Sequence, residues 1–148
     1  MHIIDVITAR EFFTASVPLP SLVFVGGSPE ASTAGCELGV PANNVIAAYN
    51  CSLKGQFLSG AVFTPHELRI SAALLKPHES RSASRKAAPL TIALEEIAEF
   101  RQGFEVAEVI LRSGDRVRLY SALIPFTRLC VECRRDTGAA LRRSSHTS

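Results

Sequence analysis

The sequence predicts an α+β fold that is mainly β: about seven short strands in a strongly bent antiparallel sheet, closed by one C-terminal amphipathic helix, with an N-terminal α/β extension. Three observations carry this expectation. Val45 to Leu74 reads as three short strands joined by tight connections at Lys54-Gly55 and Thr64-Pro65-His66-Glu67. Glu105 to Arg112 and Arg116 to Tyr120 read as a hairpin turning at Ser113-Gly114-Asp115. Phe126, Leu129, Cys130 and Cys133 fall at helical spacing on one apolar stripe, with Arg128, Glu132, Arg134 and Arg135 off it.

Before the sheet, the spacing of Ile3, Ile4, Ile7, Phe12 and Phe13 favours a short helix from Ile3 to about Thr14, ended by Pro18 and Pro20. Leu22-Val23-Phe24-Val25 is a β-prone run. Ser28 as N-cap, Pro29 at the first helical position and Glu30 in the first turn then start a second helix, with Gly39 as its terminator and Pro41 beyond. A Gly26-Gly27 pair ahead of a helix can cradle a phosphate. The longer glycine pattern with a lysine is missing, so it reads as a tight strand-to-helix turn.

Within the sheet, Gln56 to Thr64 is apolar on both faces, as a central strand should be, and Gly60 fits a bend. Leu68, Ile70 and Ala72 alternate with Arg69 and Ser71, the pattern of a half-exposed strand. Lys76 to Pro89 is a loop by composition, holding Lys76, Arg81, Arg85 and Lys86 against Glu79. Leu90 to Phe100 reads as one further strand. In the hairpin, Leu111 opposite Val117 and Val109 opposite Leu119 leave Glu108, Arg112, Arg116 and Arg118 mostly on the other side, which requires an odd-numbered, three-residue loop. The closing helix is expected over Pro125 to Arg135. The domain plan is therefore an extension over 1–41, a β domain over 42–137, and a disordered basic tail over 138–148.

Composition narrows the function classes. A chain of 148 residues is long enough to bury about two-thirds of its unfolded surface without a metal or disulfide. A net charge of +2 gives no field that by itself suggests nucleic acid, and with no Trp, two Tyr and no aromatic among the basic residues, base stacking is poorly supported. Apolar runs such as Val45-Ile46-Ala47-Ala48-Tyr49 fall far short of the roughly 20 residues that cross a bilayer. The start, MHIIDVITAREFF, lacks the basic opening and apolar run of a secretory segment, and four cysteines are too few for a disulfide scaffold. A cytoplasmic protein is expected.

The chemistry-bearing residues do not converge. Cys130 and Cys133 spell C-x-x-C, the spacing of a redox pair or half a zinc site, yet both fall on the helix stripe and read as core. His66 beside Glu67 reads as a turn histidine rather than an acid–base pair. Glu95, Glu96, Glu99, Glu105 and Glu108 read as an exposed face balanced by Arg101, Arg112 and Arg118.

The segment Gly60 to Ile70 (GAVFTPHELRI), Leu94-Glu95-Glu96-Ile97 followed by ILRSGDRVRLYSA, and Phe126-Thr127-Arg128-Leu129 together resemble bacterial pleckstrin-homology-like domains, over about 43–135. The resemblance implies a strongly bent sheet or barrel that binds rather than catalyses, without a cofactor. The lipid-binding versions carry several basic residues in the first strand-to-strand loop, where this chain has only Lys54. The expected function is a non-enzymatic protein-protein interaction module, with self-association open. Candidate contact residues are Lys76, Arg81, Arg85, Lys86, Arg112, Arg116 and Arg118. Peripheral binding to anionic lipid through the basic loop and tail is an alternative, and a small inhibitor or immunity-type protein is another.

Overall fold

The computed structural model describes residues 5–51, 59–71, 74–76 and 89–146. Helix α1 (Val6–Ala15) begins where Asp5 accepts a hydrogen bond from the Thr8 amide at 3.0 Å, which satisfies one of the free donors of the first turn. Strand β1 (Val23–Val25) follows, then α2 (Pro29–Glu37), whose N-cap is Ser28 with Pro29 behind it. Gly39 ends α2 at φ 76°. Its amide donates to Cys36 O and the Val40 amide to Gly35 O, so two orphan carbonyls are satisfied by a left-handed glycine, as expected.

The strands then come in order: β2 (Ala47–Asn50), β3 (Gly60–Phe63), β4 (Leu68–Ile70), β5 (Leu75–Lys76), β6 (Leu90–Ile92), β7 (Ile97–Arg101), β8 (Val106–Leu111) and β9 (Arg116–Tyr120). They form two antiparallel sheets. One has the order β1-β2-β3-β4-β6 and the other β5-β9-β8-β7. No closed barrel forms among the described residues. The α+β class and the C-terminal helix stand, while the single bent sheet of about seven strands is corrected to these two sheets.

The first sheet is covered on both faces. Alternation sends Ala47, Tyr49, Ala61, Phe63, Leu68 and Ile70 into the main core, and Ala48 and Val62 to the other side against Ala31 and Ala34 of α2 and Leu38 at its C-terminal end. This is why β3 is apolar on both faces, and all four of its residues are buried. Asn50 is buried on the α2 side and donates to Glu30 O at 2.7 Å. Arg69, the polar residue of β4, also faces α2: it donates to Leu38 O (2.9 Å) and Gly39 O (3.3 Å) and pairs with Glu67 at 2.9 Å. A cation at a helix C-terminus complements the negative end of the helix dipole as well as capping carbonyls. Residues 5–40 thus do two jobs: β1 extends the sheet, and α1 and α2 cover its opposite faces.

Leu90 to Phe100 is not one strand. β6 belongs to the first sheet and β7 to the second, and a 3-10 turn at Leu94–Glu96 carries the chain between them. Leu94 is buried there, so the crossing point is part of the core and the continuous apolar pattern conceals the break. Helix α3 runs Ile124–His146, past the expected end at Arg135 and over the stretch whose composition reads as a tail. Gly138 alone costs a helix only about 1 kcal/mol relative to Ala, and Ala139, Ala140, Leu141, Arg142 and Arg143 are good helix formers. Phe126, Cys130 and Cys133 are fully buried and Leu129 packs beside them, as the stripe predicts.

Candidate binding surface on the second sheet

Hairpin geometry sets the outer face of the second sheet. Leu111 donates its amide to Asp115 O and accepts from the Gly114 amide, so Arg112-Ser113-Gly114 is the loop, with Gly114 at φ 96°. A three-residue loop of this kind needs a left-handed third residue, and glycine supplies it. The loop length is as expected, but its position moves by one residue. Val109 therefore faces Val117, and Ala107 faces Leu119, rather than Leu111 facing Val117. The shift is even, so each residue keeps its face.

That register makes a row across the strands. Arg101 of β7 lies opposite Glu108, Glu108 opposite Arg118, and Arg118 opposite Lys76 of β5. The next row holds Glu99, Ile110 and Arg116. Arg116 comes within 3.7 Å of Glu108, and Arg101 within 3.6 Å of Glu99. Three arginines thus face two glutamates on one exposed surface. Glu108 is partly buried, with Oε2 out of solvent and without a hydrogen bond, whereas Glu99 and Arg101 are more than half exposed and an ion pair that exposed contributes at most about 1 kcal/mol.

Of the candidate contact residues, the structure brings Lys76, Arg116 and Arg118 together by register. Lys76 is a strand residue and not the start of a loop. Arg112 is turned away: its Nε donates to Glu95 O at 2.8 Å and its amide to Glu96 O, tying the hairpin loop to the 94–96 turn. Glu95 in turn pairs with Arg134 of α3. Arg81, Arg85 and Lys86, with the Lys54-Gly55 connection and Gln56 to Leu58, lie outside the described residues.

The residue that the sequence reading passed over is Phe104. It sits between β7 and β8 and is 96% exposed. The turn holding it is fixed: Ser121 donates its hydroxyl to Phe104 O (3.0 Å) and its amide to Glu105 O (2.9 Å). At Gly103, a Cβ would lie 2.1 Å from Val106 O, so only glycine permits the turn. A tied backbone therefore presents a bare aromatic ring beside β7, which pairs only with β8 among the described strands. A phenylalanine out of phase with the inward residues of β8, next to glycine in Gln102-Gly103-Phe104-Glu105, was the available signal.

The other candidate positions have structural uses. Gly26 donates to Ile46 O at 2.7 Å in the strand-to-helix turn. An open cleft of about 670 Å³ lies between α1, Asn43-Asn44 and Pro65-His66. Its charged groups already have partners: Arg10 donates to Val45 O and Ala42 O, both at 3.0 Å, and Asp5 accepts from Thr8, which lowers its pKa. Glu67 is paired with Arg69 rather than with His66.

Cys130 and Cys133 are buried among Phe126, Ala9 and their neighbours. Burial, and then the proximity of Cys133, pushes the Cys130 thiol well up; burial, and then Asp136, pushes Cys133 up to about 12. Both stay neutral in the folded chain, whereas the unfolded chain ionises them near pH 9. The stability they contribute is thus complete below about pH 9 and falls as pH rises, by about 1.4 kcal/mol per unit per thiol. Urea midpoints measured from about pH 8 to pH 10 should decline, and Cys130→Ala should reduce the slope. A flat profile would place the thiols outside the core.

No protein-family model matches this chain, and no curated protein or solved structure matches it either. No helix among the described residues is long and apolar enough to cross a membrane.

Proposed function

We propose that this chain is a non-catalytic protein-binding module of pleckstrin-homology-like type, which meets its partner at β7 and the Phe104 turn. The carrying observation is the 96% exposed Phe104 on a backbone held by Ser121. A backbone ordered before contact loses little entropy on binding, and aromatics buried on association are the usual anchors of an interface. Arg101 and Arg118, in the row through Glu108, supply charge on the same sheet. Two antiparallel sheets with a C-terminal helix packed on the core support the pleckstrin-homology-like reading, as do the motif segments in β3, β4 and β8 through α3.

Phe104→Ser leaves a folded chain, because the ring touches little, and is expected to lose about 2 kcal/mol or more of partner affinity, roughly thirtyfold. Affinity capture with wild-type and variant chains, followed by titration of what the wild type retains, checks this. A partner retained equally by both removes the reading. Register also sets Lys76 beside Arg118, which favours the anionic-lipid alternative. Salt-sensitive sedimentation with anionic vesicles, in the absence of a protein partner, would establish that alternative instead.

A further inference from the structure

Among the described residues β7 is the longest of the edge strands, with five residues against three in β1, three in β6 and two in β5. The direction of its backbone groups follows from the hairpin. Leu111 bonds to Asp115 in the β9 direction, so by alternation Val109 and Ala107 also address β9, whereas Ile110 and Glu108 address β7. Their β7 partners, Glu99 and Arg101, therefore direct their amides and carbonyls inward to β8. Phe100 directs its N–H and C=O away from β8, to the side where no further strand lies among the described residues.

We propose that β7 is self-complementary: two copies of this chain pair β7 to β7, antiparallel, about a two-fold axis through Phe100, joining their second sheets into one. The inference rests on the reading of this edge as a binding element and names its partner as a second copy. In that register each Phe100 N–H donates to Phe100 C=O of the other copy. The flanking pairs set Glu99 opposite Arg101 of the other copy, and Arg101 opposite its Glu99, at positions where antiparallel side chains come closest. Glu99 and Arg101 are both more than half exposed and already share the outer face, 3.6 Å apart. The dimer turns them into four charges of alternating sign.

The neighbouring registers fail. Centring the axis on Glu99 or on Arg101 puts like charges face to face. An offset of one residue sends the charged side chains to the core face. On that inner face Phe100 meets Phe100 of the second copy, each ring lying 5.7 Å from its own Arg128 guanidinium. The irregularity between Ile97 and Glu99 keeps the paired stretch short. The same register carries Phe104 towards the 94–96 turn of the second copy, where its exposed ring finds cover. Edge strands carrying charges and bulges resist indiscriminate pairing, and here the charge order admits one register of one partner.

Sedimentation equilibrium of the full chain tests this. The wild type should dimerise reversibly, and less so at high salt. Glu99→Arg or Arg101→Glu alone should weaken dimerisation about tenfold or more, since each sets like charges opposite. The double variant Glu99→Arg/Arg101→Glu should restore it, and an equimolar mixture of the two single variants should form the mixed dimer. A wild type that stays monomeric to millimolar concentration overturns the proposal, as does a dimer indifferent to both single changes. A monomer whose binding to a different protein still depends on Phe104 would overturn only the dimer. A dimer obeying the charge rules, with no protein bound through Phe104, would limit the edge to self-association.

Discussion

Phe13→Ala is expected to lower the unfolding free energy by about 3–5 kcal/mol, the usual cost of deleting a fully buried ring and leaving its cavity. Phe13 comes from α1, 6.0 Å centroid to centroid from Phe63 in β3 and edge-on to Phe12 at 5.6 Å. Its methylene and ring atoms are sealed between that sheet and α3, whose Cys133 thiol lies 3.8 Å from Ala9 O. A denaturant titration should show the midpoint falling with the slope unchanged. Ile7→Ala on the exposed side of the same helix should stay within about 0.5 kcal/mol. A loss at Phe13 below about 1 kcal/mol would mean that α1 does not hold the core closed.

Gly26→Ala should cost about 3 kcal/mol, although it adds one methyl to a turn. A Cβ there would lie 1.9 Å from Val45 O and 2.5 Å from Arg10 Nε. The first is a backbone atom beside β2 and cannot move without disturbing the Gly26–Ile46 hydrogen bond. The second belongs to the side chain that joins α1 to the Ala42–Asn44 turn. Neighbouring Gly27, at φ 97° with only Arg10 Nη1 nearby at 3.8 Å, offers the comparison: Gly27→Ala should cost roughly 1–2 kcal/mol from backbone strain alone. Thermal melts of the two variants check the order, and a Gly27 effect larger than that at Gly26 would contradict the close approach.

Several features were legible because their causes are local. Ser28, Pro29 and Gly39 mark α2 through donors, acceptors and backbone freedom confined to a few residues. The stripe from Phe126 to Cys133 marks the buried face of α3 through helical period alone. β3 reads as central because both of its faces are apolar, and the face assignment in β8 and β9 survives a register shift because it depends only on parity. The candidate surface was partly legible: Arg116 and Arg118 could be placed on the outer face, but Arg112 could not be told from them, since its contact with Glu95 O spans the loop and a distant turn. Phe104 was missed because exposure is not a property of residue type.

By itself the sequence determined the mixture of strand and helix signals, the caps and turns, and which side of most β-elements is apolar, all of which follow from short-range sterics and alternation. Only the tertiary structure decided that the chain crosses between two sheets at Leu94–Glu96, that Lys76 pairs with Arg118, and that β7 is an edge among the described strands, with Glu99 and Arg101 on the outer face and Phe100 between them against the core. Those outcomes depend on which distant segments compete to bury the same apolar faces, and neighbours in sequence carry no record of that competition.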